Sequence, residues 1–533
     1  MSSARLKWLA VAAAILLPLA FAAFTQHAWE DYFITLRSSR NLVLGHGLVF
    51  NPGERVHTFT SPLGVLVPAL CTAIAGAGRE TLALWLFRLI NVAFLGAAAG
   101  LLARRAHMLR LGPVGCLTLF GLLLADAKLV DFSMNGMETA LLVYFVLLLW
   151  SELERDLAPR AAVVAIAIAG LMWTRPDAFV IGGALLAAHL VIRGDHSARQ
   201  PIAWSRLLRG VALGGALYVP WFAWAWWYYG SPVPHTIIAK GAYTPAVHLG
   251  SLLLIPWQTL TGRSMMVDLF LPTYWSFGGW PALLPAIAQA LAGIAAFAWI
   301  VPRFSAAARR ASLALFIGMF YLCSIVLFPW YVPPWTALAA IAIGFVADEI
   351  YTRAVAAGFR LIAVSMRIAC VAIVALQGAV LAASAWEMRH EQRLVENSVR
   401  RAIGEWLHAH ARPTDTVFLE PLGYIGYFSQ LKTYDFPGLS SPEVVAAVRG
   451  GARRYADVIA RLRPTWVVLR PHEAARPEFA RTGVLGDYTL VQAWNATPQL
   501  DQIAFLPGRP WVEAEAHFLV FQRNVPAGPV TTR

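Results

Sequence analysis

The sequence predicts an α-helical polytopic membrane protein with a small α/β domain at its C-terminal end. Of its 533 residues, 58% are hydrophobic and 14% are charged, whereas soluble globular proteins carry roughly 25% charged residues. The mean hydropathy is +0.58. Apolar runs close to the ~20 residues that cross a bilayer recur as far as residue 385. This composition excludes a soluble cytosolic enzyme.

About eleven membrane crossings are predicted. The first apolar run follows Arg5 and Lys7, and we interpret it as a membrane helix because no small-x-small cleavage site follows it. Ten further runs centre on 82–102, 109–126, 138–151, 161–174, 177–193, 207–229, 280–301, 311–328, 334–350 and 361–385. The run 63–77 is about 15 residues long and contains Pro68, so it is either a short span or a helix at the membrane surface.

The distribution of basic residues sets the predicted topology. The net charge is +13, and in a chain this apolar we expect the excess to mark cytoplasmic loops. If 63–77 lies at the outer face, the basic loops all fall on the side of the N-terminus; they are 103–110, 193–209, 302–310 and 353–360. The remaining polar segments then face outward, namely 27–80, 127–137, 174–177, 228–279, 329–333 and everything from Trp386 onward.

Helical and strand patterns alternate from residue 386 to 533, which predicts one small α/β domain after a membrane domain at 1–385. The segments TDTVFLE, PTWVVLR and HFLVFQR are typical of strands. GYIGYF has two glycines and predicts a turn, and SPEVVAAVRGGARRYADVIARL predicts a helix.

The sequence contains no pattern that calls for a cofactor. The four cysteines lie in apolar stretches without metal-site spacing, which argues against a disulfide framework or a zinc site. Walker, dinucleotide-binding, HExxH and GxSxG motifs are absent from the sequence. Two or three clustered acids could still hold a divalent metal ion.

The first outward loop, 27–80, contains the adjacent acids Glu30 and Asp31. A carboxylate at a membrane surface can act as a general base for a hydroxyl group, because an apolar environment raises its pKa toward the useful range. Alternatively, Asp31 caps a helix that spans Tyr32–Leu44. If the helix begins at Glu30, then Arg37 and Asn41 share its face by helical spacing.

Several polar residues of the outward segments are candidates for binding a phosphorylated lipid. Those of the first loop are Arg37, Arg40, Asn41, His46 and Arg55. Those of the later segments are Glu138, Arg175, Tyr229, His235 and Lys240. Arginine forks suit phosphate oxygens, and lysine supplies a point charge. Each also has an ordinary alternative: snorkelling arginines, an Arg175 ion pair with Asp177 or Glu138, and an interfacial aromatic belt at Tyr229.

Taken in order, the motifs resemble the GT-C superfamily of polyprenyl-phosphate-sugar-dependent glycosyltransferases, above all the mycobacterial-type terminal arabinofuranosyltransferases. The motifs are the acidic pair with FITLRSSRNLVLGHGLVFNPGERV, then NGMETAL, TRPD, YYGSPVPHTIIAK, GYIGYFS and YDFPGL. The resemblance implies a GT-C-like fold in the bacterial cytoplasmic membrane, with the active site and the C-terminal domain on the extracytoplasmic side.

The resemblance also implies the reaction. A sugar, such as arabinofuranose, moves from polyprenyl phosphate to an envelope glycan, lipid or protein acceptor by an inverting displacement, and no nucleic acid takes part. The base is an acid of the first outward loop, Asp31 or Glu30. Relatives most often have two aspartates, which favours Asp31. The candidate cations would stabilise the departing phosphate.

Two other functions remain open at this point. A transporter or flippase for a lipid-linked glycan would also use intramembrane ionisable residues such as Arg175 and Glu138. Against it, the conspicuous polar groups all lie on one predicted face. An oligosaccharide ligase would also work at the outer face, but its acids and arginines usually occupy a large loop in the middle of the chain.

Overall fold

The computed structural model describes residues 3–193, 203–243 and 249–524. The first part consists of helices α1 (Ser3–Thr25), α2 (Glu30–Val43), α3 (Pro62–Ala75), α4 (Glu80–Met108), α5 (Pro113–Leu124), α6 (Ala127–Met134), α7 (Thr139–Leu153), α8 (Ala161–Thr174), α9 (Phe179–Val191), α10 (Trp204–Tyr229), α11 (His235–Tyr243), α12 (Leu249–Leu260), α13 (Leu283–Phe297), α14 (Ala306–Leu322), α15 (Pro333–Ala356) and α16 (Arg360–Glu391). A π-helical segment, Gln392–Arg401, continues α16 without a break.

The C-terminal part contains helices and a five-stranded sheet. The elements are α17 (Ala402–His410), β1 (Thr416–Leu419), α18 (Gly423–Ser429), β2 (Lys432–Asp435), α19 (Pro442–Arg449), α20 (Tyr455–Leu462), β3 (Trp466–Leu469), α21 (Pro471–Ala474), α22 (Pro477–Thr482), β4 (Tyr488–Asn495), α23 (Thr497–Leu500), α24 (Arg509–Ala514) and β5 (His517–Arg523).

A helix occupies each of the eleven segments predicted to cross the membrane. Among the described residues, four helices are long and apolar enough to span a bilayer: Lys7–Thr25, Glu80–Met108, Leu283–Ile300 and Arg360–His410. A fifth span results if the bent pair α5 and α6 is counted as one. The remaining apolar helices are shorter, so the number of eleven crossings stays a prediction.

The helical core is built around α15. Its residues from Pro333 to Asp348 are all buried, as expected for a helix that is apolar on every side. Around it, α15 packs on α5 and α14, α1 on α4, and α10 on α8. The ambiguous run 63–77 forms α3, a 14-residue helix whose N-cap is Ser61.

In the C-terminal sheet the strands lie in the order β2-β1-β3-β5-β4. The first three strands are parallel, and β5 runs antiparallel to β3 and β4. Every residue of β3 is buried, which is typical of a strand covered on both faces. The three predicted strands are confirmed as β1, β3 and β5, and two more strands, β2 and β4, complete the sheet.

Two expectations for this domain were wrong. GYIGYF forms helix α18 rather than a turn. The predicted long helix is two helices, α19 and α20, because the chain turns at Gly450 and Gly451, and Gly451 has φ +98°. The predicted domain boundary at 385/386 stays a prediction; the chain at this point is one continuous helical segment, 360–410.

The C-terminal domain is attached to the membrane part where α18 packs on α2. The N–H of Gly423 donates a hydrogen bond to the Glu30 carboxylate. One turn further along α2, the ring of Phe33 lies 4.2 Å from that of Tyr424 and 5.1 Å from that of Tyr427. The Arg37 guanidinium of α2 also donates to the Gly426 carbonyl of α18 at 2.7 Å. The two helices are therefore held together by two polar contacts and an aromatic cluster.

Replacing Gly423 with alanine should weaken this attachment. A Cβ atom at Gly423 would overlap the backbone carbonyl of Glu30, and an overpacked contact costs about 1–3 kcal/mol. We expect a lower melting temperature for Gly423→Ala in detergent. Gly486→Ala is the matched control in the same domain, because a Cβ there meets open space. Equal melting temperatures for the two variants would contradict the role of this contact.

Candidate functional site

A cavity of about 510 Å³ lies between α2 and the C-terminal domain. Its polar lining residues are Glu30, Asp31, Lys240, Arg400, Glu420, Arg470, His472, Glu473, Arg476 and Glu515. Its aromatic lining residues are Trp29, Tyr274, Phe277, Phe328, Trp330, Phe436, Tyr455 and Trp511. Acids, cations and flat aromatic faces in one cavity suit a ligand that carries hydroxyl groups and negative charge.

The two acids of the first loop lie at the start of α2. The helix begins at Glu30, and its N-cap is Trp29, which makes no side-chain capping bond. Asp31 is therefore inside the first helical turn, and its interpretation as the N-cap of Tyr32–Leu44 is wrong. Trp29 is fixed because its indole N–H donates a hydrogen bond of 2.7 Å to Asp131.

Glu30 is directed at the C-terminal domain. Its carboxylate accepts the Gly423 N–H, and burial raises the pKa of this group to about 8, against the opposing effect of the Arg400 guanidinium. The neighbouring carboxylates of Asp31 and Glu420 raise the pKa further. Because its carboxylate already accepts the Gly423 N–H, Glu30 is less available than Asp31 to accept a proton from a ligand.

Asp31 is directed at the cavity. Burial raises the pKa of its carboxyl group, while the Lys240 ammonium lowers it. Throughout the described ranges 3–193, 203–243 and 249–524, no hydrogen-bond donor to the Asp31 carboxylate is present. Asp31 can therefore accept a proton from a ligand hydroxyl group without first losing a protein partner.

Two of the predicted cationic residues, Lys240 and Arg175, are close enough to Asp31 to lower the pKa of its carboxyl group. Lys240 lines the cavity, with its ammonium 4.2 Å from the centroid of the Phe328 ring. The second is the buried Arg175, which forms both ion pairs expected of it: 3.0 Å to Asp177 and 3.7 Å to Glu138. Lys240 lines the cavity, whereas Arg175 lies outside the lining and is bound to two carboxylates, so Lys240 is the better placed cation for a bound phosphate.

The opposite wall of the cavity is a network of buried ion pairs. Arg400 bridges Glu396 and Glu515. Arg470 contacts Glu515 at 2.7 Å and Glu473 at 3.0 Å, and its guanidinium also reaches Glu420 at 2.8 Å. Since each arginine binds several carboxylates at once, this wall is rigid and its side chains hold fixed positions.

Two of the predicted lipid-binding residues instead stabilise the first loop. The Arg37 guanidinium donates to the carbonyl oxygens of Gly426, at 2.7 Å, and Leu431, at 3.0 Å. The Asn41 amide donates to the carbonyls of Val49 and Phe50. Both side chains are buried outside the cavity. Arg37 fixes α2 against the C-terminal domain, and Asn41 fixes the loop that follows α2.

The other predicted residues also lie outside the cavity lining. His46 is exposed, and the guanidinium groups of Arg40 and Arg55 lie over the rings of Tyr427 and Tyr228. The Tyr229 hydroxyl donates to the carbonyl of Leu48 at 2.6 Å. His235 donates its backbone N–H to the carbonyl of His57 at 2.8 Å.

Of the twelve predicted side chains, the structure brings together Glu30, Asp31 and Lys240 in the cavity, with Arg175 and Glu138 nearby.

The C-terminal wall was missed by the sequence reasoning. Arg400, Glu420 and Arg470 lie about 370–440 positions from Asp31 in the sequence, in helices and strands that show no motif. One signal was available: RPHEAARPEF places two arginines, a histidine and two acids just after a buried strand. Residues at the ends of parallel strands often form sites.

Comparison with curated proteins gives two partial matches. The chain is 32% identical over 238 residues to the terminal β-(1→2)-arabinofuranosyltransferase of Mycobacterium tuberculosis, covering 41% of this chain and 36% of that protein. It is 29% identical over 237 residues to the enzyme of that name from Corynebacterium glutamicum, covering 40% and 33%. The matches thus span about a third of the length of these relatives. Residues 386–517 match a family model described as a domain of unknown function, DUF8728.

Two solved structures share the architecture of nearly the whole chain. ArnT from Cupriavidus metallidurans bound to undecaprenyl phosphate aligns over 96% of this chain and 97% of its own, with a TM-score of 0.52 and 15% identity. The Archaeoglobus fulgidus oligosaccharyltransferase tethered to an acceptor peptide aligns over 92% and 73%, with a TM-score of 0.51 and 11% identity. The chain is therefore a polytopic membrane protein with the GT-C fold, similar in sequence to terminal arabinofuranosyltransferases.

Proposed function

We propose that this protein transfers a sugar from a polyprenyl-phosphate donor to a hydroxyl group of a cell-envelope acceptor. The observation that carries the proposal is the carboxylate of Asp31, which faces the cavity without a hydrogen-bond donor from the described residues and lies within electrostatic range of Lys240. This combination provides a base for the acceptor and a cation for the donor phosphate.

The reaction is a single displacement at the anomeric carbon. Asp31 takes the proton of the acceptor hydroxyl as its oxygen forms the new glycosidic bond. The bond between the anomeric carbon and the phosphate oxygen breaks on the opposite face, and the anomeric configuration is inverted. Polyprenyl phosphate leaves with additional negative charge, which the Lys240 ammonium stabilises. Each residue then acts on a charge that develops in the transition state.

The identity of the donor is supported by the comparisons. The curated relatives are named for arabinofuranosyl transfer, and the ArnT structure contains undecaprenyl phosphate. The donor we propose for this chain is a polyprenyl-phosphate pentofuranose, with arabinofuranose as the first candidate. The aromatic faces of Trp330 and Tyr274 in the cavity suit the apolar face of a sugar ring.

The cellular location follows from the same reasoning. Lipid-linked donors are anchored in the membrane, and we place the cavity and the C-terminal domain at the extracytoplasmic face of a bacterial cytoplasmic membrane. The acceptor is an envelope glycan, lipid or protein that enters beneath the C-terminal domain. The charged wall formed by Arg470 and Glu473 would meet the acceptor there.

Replacing Asp31 with asparagine should reduce transfer by roughly 10²–10⁴-fold, the usual contribution of a general base. Asparagine keeps the size of the side chain but cannot take the proton. The assay uses purified protein in lipid vesicles, radiolabelled polyprenyl-phosphate pentose or hexose, and an envelope extract as acceptor. Whichever donor supports transfer identifies the sugar.

The matched control is Glu30→Gln, in the adjacent acid whose carboxylate accepts the Gly423 N–H. We expect this variant to keep a much larger share of the activity than Asp31→Asn. The opposite order would make Glu30 the base. If neither donor supports transfer but a labelled lipid moves between leaflets, the protein is a flippase.

Replacing Lys240 with methionine should shift the acidic limb of the kcat/KM profile to higher pH. The Lys240 ammonium lowers the pKa of Asp31, so its removal raises that pKa and leaves less of the base ionised at a given pH. Lys432→Met is the matched control, because Lys432 pairs with Glu54 and Glu443 away from the cavity. If the acidic limb of the kcat/KM profile of Lys240→Met stays at the same pH or moves to lower pH, the pairing of Lys240 with the base is contradicted.

A further inference from the structure

A second polar cluster lies behind the cavity and is not used by the proposed reaction. It consists of His27, just after α1, Glu391 at the end of α16, and Glu396 in the π-helical segment. One ligand atom from each side chain lies within 4.8 Å of the others. All three residues are at most 1% exposed, so their polar atoms do not form hydrogen bonds with bulk water.

The π-helical winding is what brings the two acids together. In an α-helix, residues five apart project in different directions around the axis. In a π-helix, residues i and i+5 are paired and lie close together. Glu391 and Glu396 are five residues apart, and the π-helical segment Gln392–Arg401 begins directly after Glu391. Departures from α-helical winding of this kind are frequent at functional sites.

Two buried atoms of the cluster have no hydrogen-bond partner within the part of the chain that the structure describes: Nε2 of His27 and Oε2 of Glu396. Nε2 of His27 faces the Glu391 carboxylate at 3.8 Å, and Glu396 Oε2 belongs to the third side chain of the cluster. Leaving such atoms unpaired destabilises the folded chain. Two of them at one place indicate that another group binds there.

The remaining contacts are those of a ligand set. One carboxylate oxygen of Glu391 accepts a hydrogen bond of 2.9 Å from the indole N–H of Trp511. The other oxygen lies 3.8 Å from Nε2 of His27. This distance is too long for a hydrogen bond. It is close to the separation of about 3.3 Å between two ligands of one tetrahedral zinc ion.

The surroundings of His27 also suit a ligand. Complete burial favours the neutral imidazole, which is the form that binds metals. The other ring nitrogen, Nδ1, lies 3.0 Å from the side-chain amide of Asn135. The amide oxygen of Asn135 is itself buried without a partner. Nδ1 is therefore engaged by a neighbouring side chain, and Nε2 is the ring nitrogen that remains for a ligand.

We propose that His27, Glu391 and Glu396 bind one divalent transition-metal ion, with zinc as the expected metal. One imidazole and two carboxylates form a set that zinc binds in other proteins, with water as a fourth ligand. The ion holds the end of α1 against the helix that leads to the C-terminal domain. It takes no part in sugar transfer, so this proposal and the proposed function can fail independently.

The test is metal binding by the full chain, purified in detergent with a tag that contains no histidine. The protein is stripped with a chelator, returned to zinc chloride and washed, and its metal content is measured by mass spectrometry. We expect one zinc ion per chain. Zinc at a hundredfold excess over its Kd should also raise Tm by about 3 °C.

The diagnostic variant is Glu391→Gln, which keeps an oxygen for Trp511 but removes a charged ligand. We expect it to lose the zinc ion. The matched control is Glu387→Gln, a buried glutamate one turn earlier on α16 and outside the cluster, and it should retain zinc. Absence of zinc from the wild-type chain, or equal zinc in Glu391→Gln and Glu387→Gln, would overturn the proposal.

A second measurement needs no substitution, in case Glu391→Gln does not fold. Cobalt(II) added to the stripped wild-type chain should give the visible absorption bands of a four-coordinate site, and zinc should abolish them. Spectra identical to those of cobalt in buffer would count against the site. Magnesium chloride is the control ion, because it prefers six oxygen ligands and should not displace cobalt.

Discussion

The meeting of two helix N-termini, that of α18 with that of α2, is the contact on which the rest of the structure depends. The first N–H groups of a helix lack internal partners and carry partial positive charge. At Gly423 one such N–H binds the Glu30 carboxylate, and the glycine lets the two backbones approach. Together with the bonds from Arg37 to the carbonyls of Gly426 and Leu431, this contact places the C-terminal domain above α2, where it forms the second wall of the cavity.

The same contact makes two adjacent acids unequal. Consecutive residues of an α-helix are about 100° apart around its axis, so Glu30 faces the C-terminal domain while Asp31 faces the cavity. Glu30 receives a backbone N–H and lies near Arg400, and Asp31 lies near Lys240. Enzymes commonly assign two carboxyl groups different roles by giving them different surroundings. Here one acid holds the domain, and the other remains for chemistry.

The apolar runs in the sequence predicted the helices of the membrane part well, because a membrane helix must be apolar along most of its length. Motif order predicted that Asp31 and Lys240 belong to one site, and the structure brings them together at the cavity. Arg37 shows where sequence reasoning ends. A guanidinium suits backbone carbonyl oxygens as well as phosphate, and nothing in the sequence distinguishes the two partners. The structure shows that Arg37 binds the carbonyls of Gly426 and Leu431.

Other features of the structure depend on contacts between residues distant in the sequence, which leave no pattern in the local sequence. The glycines of GYIGYF suggested a turn, yet Gly423 is small because a neighbouring backbone passes close to it, and the segment is helical. Strand β2 has the sequence KTYD, which lacks the run of apolar residues by which β1 and β3 were recognised. The wall formed by Arg400 and Arg470 arises from the fold of the C-terminal domain, which places these residues opposite α2.

Arg400 links the cavity to the cluster behind it. Its guanidinium binds Glu515, which lines the cavity, and Glu396, which belongs to the His27 cluster. A metal ion on Glu396 would fix that carboxylate and, through Arg400, the position of the cavity wall. An ion at this place acts on the shape of the site and lies behind the groups that face the substrate. The end of α1, α2 and the C-terminal domain would then be held together by the Gly423 contact in front and by the metal cluster behind.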